Sequence, residues 1–214
     1  MNTPLIVLDK PFSEVVFATS ALVIAQCYKE YAAKSYAYLP IVQGSAVRVV
    51  SSYDNSYNAY GFVTKINNTS LDSVHKPTAL GMNLQEIESL QPQIYDLLRK
   101  EIEICLFAFR QKENFYNYPP VKPVMVHDFV HMCSDNELLR LTNEMSSLFS
   151  MIKVKQLQID ILYDLIMKGY SLRKNNYSYL VNIGQKLTVL YQDDIENLMR
   201  FLKRMSLNCN TDIT

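Results

Sequence analysis

Short runs of β-branched and aromatic residues alternate with polar turns through the first 133 residues. This spacing is typical of strands joined by hairpins. It predicts about six strands, at residues 14–19, 22–28, 45–53, 59–66, 104–110 and 124–130. Because closing a sheet on itself removes exposed edges, we expect a small six-stranded antiparallel β-barrel.

A helical pattern interrupts these strands over about residues 83–103. Leu84, Ile87 and Leu90 fall on one helix face, and Pro92 stands where the first turn of a helix tolerates proline. The 3.6-residue period then continues through Ile94, Leu97, Leu98 and Ile102. The sequence therefore predicts a helical insert between the fourth and fifth strands.

From Ser134 onward the apolar period is helical. Ser134 and Glu137 form a capping box at the start of the first helix. Behind it, one apolar stripe is formed by Leu138, Leu141, Met145, Leu148, Phe149 and Ile152. We expect the middle of this stripe, Leu141 to Phe149, to be buried.

Three more helices are predicted, at about 159–172, from Asn176 to Leu190, and from Asp193 onward. The last of them is expected to bury Ile195, Leu198, Met199 and Leu202. The predicted class is α+β, with a barrel at residues 1–133, a bundle of four short helices at 134–206 and a flexible tail at 207–214.

Composition narrows the class of protein. Hydrophobic residues make up 49% of the chain and charged residues 20%, as in an ordinary globular protein. The net charge is +0, from 21 basic and 21 acidic residues, whereas nucleic-acid binders usually carry a basic excess for phosphate contacts. The four cysteines lie far apart without a CxxC pair, which favours a reducing cytoplasm.

One apolar segment, at residues 15–25, has the character of a signal-peptide core. It lacks the basic residues that precede such a core, and it is far shorter than the roughly 20 residues needed to cross a bilayer. We therefore expect a cytoplasmic protein with no membrane span.

Three short motifs occur in a distinctive order. They are the hairpin Glu14-Val15-Val16 to Leu22-Val23-Ile24, then Pro40, Gly44, Ser45, Val47, Arg48 and Val49, then Tyr60-Gly61-Phe62-Val63. Together they resemble the HAS-barrel, the small β-barrel shared by HerA-type DNA translocases and the catalytic subunits of rotary ATP synthases. In those assemblies the barrel mediates ring contacts rather than chemistry, so the resemblance implies an assembly role.

Four further stretches resemble an uncharacterised cyanobacterial family that pairs a HAS-barrel with a helical tail. They are Leu71–Lys76, Ala79–Gly81, Leu90–Ile94 and Leu187–Asp194. This resemblance implies a fold but brings no activity with it, because a fold alone does not determine a function.

A phosphate-binding loop of the kind that motors and ATPases use is missing. Such a loop needs two closely spaced glycines followed by lysine and a hydroxyl residue. The five glycines, Gly44, Gly61, Gly81, Gly169 and Gly184, are all widely separated. We expect the chain to be no enzyme, to need no cofactor, and neither to bind nor to hydrolyse ATP.

A metal site would most readily be built from His127, His131 and Cys133, which share one face if the segment is extended. A structural zinc site needs four placed ligands, and His75 would complete this one only by a coincidence of folding. The preferred interpretation is a plain barrel strand with a solvent-facing histidine.

The segment 72–75 contains the three residue types of a hydrolytic triad, in Asp72, Ser73 and His75. Real triads converge from separate segments, whereas these three residues are close neighbours in one short loop. The preferred interpretation is a capped turn in which His75 bonds locally.

Tyrosine is abundant, with 15 copies and no tryptophan. One predicted hairpin tip carries Tyr53, Tyr57 and Tyr60, and a second loop carries Phe115, Tyr116 and Tyr118, both among amide side chains. Such loops make adaptable recognition surfaces, although a compositional bias of the proteome would produce the same pattern. We expect the two loops to meet at one end of the barrel as an exposed aromatic rim. Tyr57→Ala with Tyr116→Ala would then weaken partner capture and leave the melting temperature nearly unchanged.

Two small basic clusters, Arg99-Lys100 and the segment 200–204, have acidic neighbours and are interpreted as solvated helix faces.

The preferred function is a non-catalytic module that binds protein partners, in a multisubunit assembly, through the rim, the helical region or both. The alternative is a nucleic-acid-associated module whose aromatic residues stack on bases, and an enzyme ranks third.

Overall fold

The structure, a computed structural model, describes residues 10–28, 41–54, 56–70, 80–91, 93 and 98–209. Seven strands occur in these residues. They are β1 (Ser13–Ala18), β2 (Leu22–Cys27), β3 (Ala46–Val50), β4 (Tyr57–Ser70), β5 (Leu98–Gln111), β6 (Asn114–Tyr116) and β7 (Phe129–Met132).

Six of the strands form a closed antiparallel barrel, as the sequence predicts. Neighbours pair in the order β2-β1-β7-β3-β4-β5, and a pairing between β2 and β5 closes the ring. The short β6 extends the sheet beyond the ring as a hairpin partner of β5, with Phe109 opposite Tyr116. The fold class is α+β, because helices follow the barrel along the chain.

Six α-helices accompany the strands in the described part of the chain. They are α1 (Leu84–Leu90), α2 (Asp135–Leu141), α3 (Ser146–Val154), α4 (Tyr163–Leu172), α5 (Tyr177–Leu190) and α6 (Ile195–Cys209). A 3-10 turn, Ile159–Leu162, precedes α4. None of the helices in these residues combines the length and apolar character that a membrane crossing requires.

The predicted helical insert is correct at its start and wrong at its end. Helix α1 begins after Asn83, which forms a capping box with Glu86. From Leu98 onward, however, the chain is strand β5, hydrogen-bonded to β4 on one side and β2 on the other. The helical period misled because Leu98 and Ile102 are four residues apart, and residues at this spacing share one face in a helix and in a strand alike. The predicted helical positions 94 and 97 lie outside the described residues.

The last predicted strand, at 124–130, is also placed too early. Residues 125–128 form a turn in which the Asp128 carboxylate accepts the backbone N–H of Met125 at 2.8 Å. The same carboxylate accepts the N–H and hydroxyl of Ser52 from the hairpin beside it. Strand pairing therefore starts only at Phe129.

The helical region has five helices instead of the predicted four. The predicted first helix divides into α2, which ends at Leu141, and α3, which begins at Ser146. Its apolar stripe remains on one side, and Leu141, Met145, Leu148 and Phe149 are buried as predicted. Helix α6 runs to Cys209, past the start of the predicted tail, and residues 210–214 lie outside the described part.

The barrel sheet is buried on two sides. Its interior holds one apolar cluster that includes Val15, Val47, Ile104 and Val130. The outer faces of β4 and β5 belong to a second cluster, in which Tyr60, Phe62, Cys105 and Phe107 pack with the buried residues of α2 to α6. The nearly continuous apolar run at 104–109 follows from this arrangement, because strands covered on both faces have no polar side.

The turn at Gly44 lies directly against the helical region. Gly44 has φ of +93°, and a Cβ atom added to it would lie 2.1 Å from the carbonyl oxygen of Ile161. Its N–H donates to the carbonyl of Val63 in β4 at 2.8 Å. The turn thus joins β3, β4 and the 3-10 turn, and only glycine fits there.

Gly44→Ala is expected to lower the free energy of unfolding by about 2–3 kcal/mol, from the left-handed backbone and the clash with Ile161 together. Gly81→Ala is the matched control, because Gly81 has φ of +67° and would place its methyl group in open space. The control should cost only about 1 kcal/mol. Equal losses in urea denaturation of the two variants would contradict the contact between Gly44 and Ile161.

Candidate functional site

The two aromatic loops lie at the same end of the barrel, as predicted. Tyr57 begins β4, and its ring centroid is 5.7 Å from that of Phe109 in β5. Phe109 in turn stacks on Tyr116 at 4.7 Å and meets the edge of Tyr118 at 5.3 Å. The β5–β6 hairpin therefore brings the second loop beside the first.

Most of these rings are not available to a partner, and in this respect the predicted rim is wrong. Tyr57 is only 5% exposed, and its hydroxyl donates to the Lys122 carbonyl at 3.1 Å. Burial raises the pKa of Tyr57 to about 12. Of the six candidate rings, only Tyr53 and Tyr118 are exposed, at 81% and 47%. Tyr57 belongs to the cluster inside the barrel, because β4 begins at Tyr57, two residues before the predicted strand.

The burial of Tyr57 also changes the expected result of the Tyr57→Ala and Tyr116→Ala double substitution. Tyr116 packs, partly buried, against the cluster inside the barrel. Truncating both rings would remove apolar contacts from that cluster and so lower the melting temperature. Partner capture by this variant would therefore report on folding as well as on docking.

Tyr60 and Phe115 lie on the outside of the barrel, where the helices cover them. Their ring centroids are 5.0 Å apart, and Tyr60 is fully buried. The Tyr60 hydroxyl donates to Oε1 of Glu137 in α2 at 2.9 Å. Burial and the adjacent Glu137 carboxylate raise the pKa of this hydroxyl.

Glu137 joins the barrel to the first helix of the helical region. Arg48, directly opposite Tyr60 in the β3–β4 pairing, donates to the same Oε1 atom at 2.9 Å. The other carboxylate oxygen accepts the N–H of Ser134 at 2.8 Å, which completes the predicted capping box. Beside this network is a polar pocket of about 240 Å³ that Arg110, Glu113 and other charged residues line. Arg48 and Glu137 are the pair of opposite charges that meet in its lining, so we assign this network a structural role.

The candidate metal ligands do not form a common site. His127 stands in the turn before β7 with φ of +73°, and its Nδ1 atom contacts a carboxylate oxygen of Glu14. His131 and Cys133 are buried at the end of β7. No group of three potential ligands occurs in the residues that the structure describes. Asp72, Ser73 and His75, the residues of the suggested triad, lie outside that part of the chain.

The basic cluster at 200–204 is tied to an acidic side chain. Arg200 and Arg204 both donate to the Asp160 carboxylate, at 2.9 Å and 3.2 Å. The Arg204 guanidinium also lies over the ring of Tyr163, 4.0 Å from its centroid. The basic cluster at 200–204 therefore forms ion pairs with the 3-10 turn in addition to facing solvent. Of the other cluster, Arg99 belongs to β5, not to a helix, and bonds to Gln26 at 3.2 Å.

An apolar groove lies between α5 and α6 in the helical region. Its volume is about 740 Å³, and Val181, Gly184, Met199 and Leu202 are among its lining residues. A Cβ atom added at Gly184 would lie 3.7 Å from a methyl group of Leu202, an ordinary van der Waals contact, so a methyl group would also fit there.

The side chains beside this groove contradict one part of the sequence prediction. Ile195 and Met199, expected to be buried, are 61% and 60% exposed. The core face of α6 consists of Leu198, Phe201 and Met205 instead. The sequence carried a signal for this, because the apolar residues of α6 cover a wider arc than one buried face needs.

Helix α5 carries exposed apolar side chains on the other side of the groove. Tyr177 and Val181 are exposed and lie one turn apart, while Leu180, Ile183 and Leu187 face the core. Exposed apolar side chains therefore border the groove on both of its sides. Sequence reasoning missed the α5 edge, because single apolar residues between polar neighbours are common on surfaces.

Comparison with known proteins adds no family to this description. No protein-family model matches the sequence, and no curated protein matches it significantly.

Proposed function

We propose that the chain is a non-catalytic protein-binding or assembly module that accepts a partner helix in the groove between α5 and α6. One observation carries the proposal: Tyr177, Val181, Ile195 and Met199 expose apolar surface along two consecutive helices. Burying such surface is favourable by about 25 cal/mol per Å². A partner that covers the groove therefore gains free energy without any rearrangement of the fold.

The shape of the groove favours a helix as the docked element. Amphipathic helices bind in apolar grooves through anchors spaced three and four residues apart, which matches the ridge spacing of α5 and α6. Gly184, which has no side chain, is among the residues that line the groove. Arg200, which lines the groove, already has Asp160 as its acceptor, so this side chain is not free for a phosphate contact.

The assembly role and the absence of nucleotide chemistry are proposed from the sequence, and the cytoplasmic location is proposed from the cysteines. The order of the motifs around Gly44 and Gly61 supports a relationship to the HAS-barrel and to its cyanobacterial relatives with helical tails, and hence membership of a multisubunit assembly. The wide spacing of the glycines supports the absence of nucleotide chemistry. The buried free thiols of Cys27, Cys105 and Cys133 support a cytoplasmic location.

A photo-crosslinking amino acid placed at Val181 or Met199 is expected to give a covalent protein adduct in cells that contain the natural partners. The same amino acid at Val189 is the matched control, because Val189 is an exposed valine on another side of α5. Adducts are read by immunoblot and mass spectrometry. Irradiation without any protein adduct at either groove position would refute docking there, as would an equal yield at position 189.

A further inference from the structure

We propose that the helix docked against this groove is α6 of a second copy of the chain, so that the protein is a two-fold symmetric dimer. The inference rests on the proposed function, since it names the occupant of the same groove. Two copies of one surface fit each other about a two-fold axis only if that surface is self-complementary. The exposed side of α6 has this property in both its apolar and its charged residues.

The apolar part is a stripe along α6. Ile195, Met199 and Leu202 are spaced four and three residues apart, the spacing of a helix–helix contact. Met199 is the fifth residue of the 15-residue helix and the centre of the segment from Ile195 to Lys203. Two α6 helices lying antiparallel and centred on Met199 would place their apolar stripes against each other, with Val181 of each α5 covering the edge.

The charged part consists of Glu196 and Lys203, which flank the stripe on one side. Glu196 precedes Met199 by three residues and Lys203 follows it by four. At 100° per residue both side chains project within about 60° of Met199. The seven-residue separation, about 10 Å along the axis, is too long for an ion pair within one helix. Neither side chain forms an ion pair with any residue in the described ranges.

The antiparallel pairing gives both Glu196 and Lys203 an oppositely charged partner. With the two-fold axis at Met199, Glu196 of one copy comes opposite Lys203 of the other, and symmetry forms the same pair twice. Opposite charges beside an apolar seam set the orientation of paired helices. A parallel pairing about a two-fold axis would instead put these side chains of the two copies on opposite sides of the seam, so that Glu196 of one copy has no Lys203 of the other beside it. The charge pattern therefore selects a second, antiparallel copy as the occupant.

Sedimentation velocity on the full chain, at concentrations up to about 100 μM, tests the dimer. We expect the wild type to dimerise and Met199→Glu to weaken dimerisation at least tenfold, because a carboxylate would be buried in the seam. Val189→Glu is the control for an added surface charge and should dimerise like the wild type. Circular dichroism checks that both variants are folded, as the exposure of both positions predicts.

Charge reversal tests the antiparallel register separately. Glu196→Lys and Lys203→Glu should each weaken dimerisation about tenfold, since each reversal turns two attractive pairs into two repulsive ones. The double variant should recover the wild-type constant within about threefold. A double variant as weak as either single variant would overturn the proposed pairing.

A monomeric wild type over the whole concentration range would overturn the dimer. That result is distinguishable from failure of the proposed function. Crosslinks from Val181 and Met199 to a different protein would leave docking at the groove intact while excluding a second copy. A crosslinked species of twice the chain mass would support both proposals.

Discussion

Replacing Glu137 with alanine is expected to lower the free energy of unfolding by about 3–5 kcal/mol, the usual cost of removing one partner of a buried ion pair. The substitution leaves the Arg48 guanidinium and the Tyr60 hydroxyl without their shared acceptor between barrel and helices. It also removes the carboxylate that caps the backbone of Ser134. Urea denaturation followed by circular dichroism measures the loss.

The control for this substitution is Glu113→Ala. Glu113 is an exposed glutamate in the turn between β5 and β6, so its removal should change stability by less than about 0.5 kcal/mol. A loss below about 1 kcal/mol for Glu137→Ala would show that the network does not hold the barrel and α2 together.

The same carboxylate should make stability depend on pH. Burial acts to raise the pKa of Glu137, but hydrogen bonds from Ser134 and Arg48 outweigh it and lower the pKa below its ordinary value of 4.5. A group whose pKa is lowered by folding adds stability above its unfolded-state pKa, and this stability is lost as the pH falls through the folded-state value. The stability difference between wild type and Glu137→Gln should therefore be largest near neutral pH and shrink below about pH 4.

Leu148→Ala is expected to cost about 2–5 kcal/mol, the range for truncating a leucine in a packed core. Leu148 lies in α3 with 1% of its surface exposed, inside the cluster shared by the helices and the outer face of the barrel. Val154→Ala in the same helix is the control, because Val154 is largely exposed. A cost for Leu148→Ala no larger than that of the control would contradict its burial in the shared core.

The local hydrophobic pattern was sufficient to predict capping and burial where a helix packs one face against the core. The capping box of Ser134 and Glu137 and the burial of Leu148 both follow from spacings of three and four residues. Such spacings are set by helix geometry alone, so they are visible in a single sequence. The pairing of β2 with β5 that closes the barrel, in contrast, was not predicted, because pairing partners can be distant in the chain.

The wrong predictions share one physical origin. A hydrophobic period shows which residues lie on one face of an element, but it does not show which face meets the core. The segment from Leu98 to Ile102 satisfies a helical period, yet β2 and β4 both offer it hydrogen bonds and the strand forms. Ile195 and Met199 satisfy the same period as Leu198, yet only one face of α6 can meet the core. Periodicity indicates that a residue can be buried, and tertiary packing decides whether it is.

The sequence by itself therefore determined the α+β class, the barrel of about six strands, the boundary at Ser134 where helices begin, and the apolar stripe around Leu148. Tertiary structure alone decided that Tyr57 fills the barrel end and that Met199 faces solvent. It alone brought Arg48 to Glu137 across 89 positions of the chain. The reason is that short-range spacing encodes which faces are apolar, whereas contact between distant faces depends on how the whole chain packs.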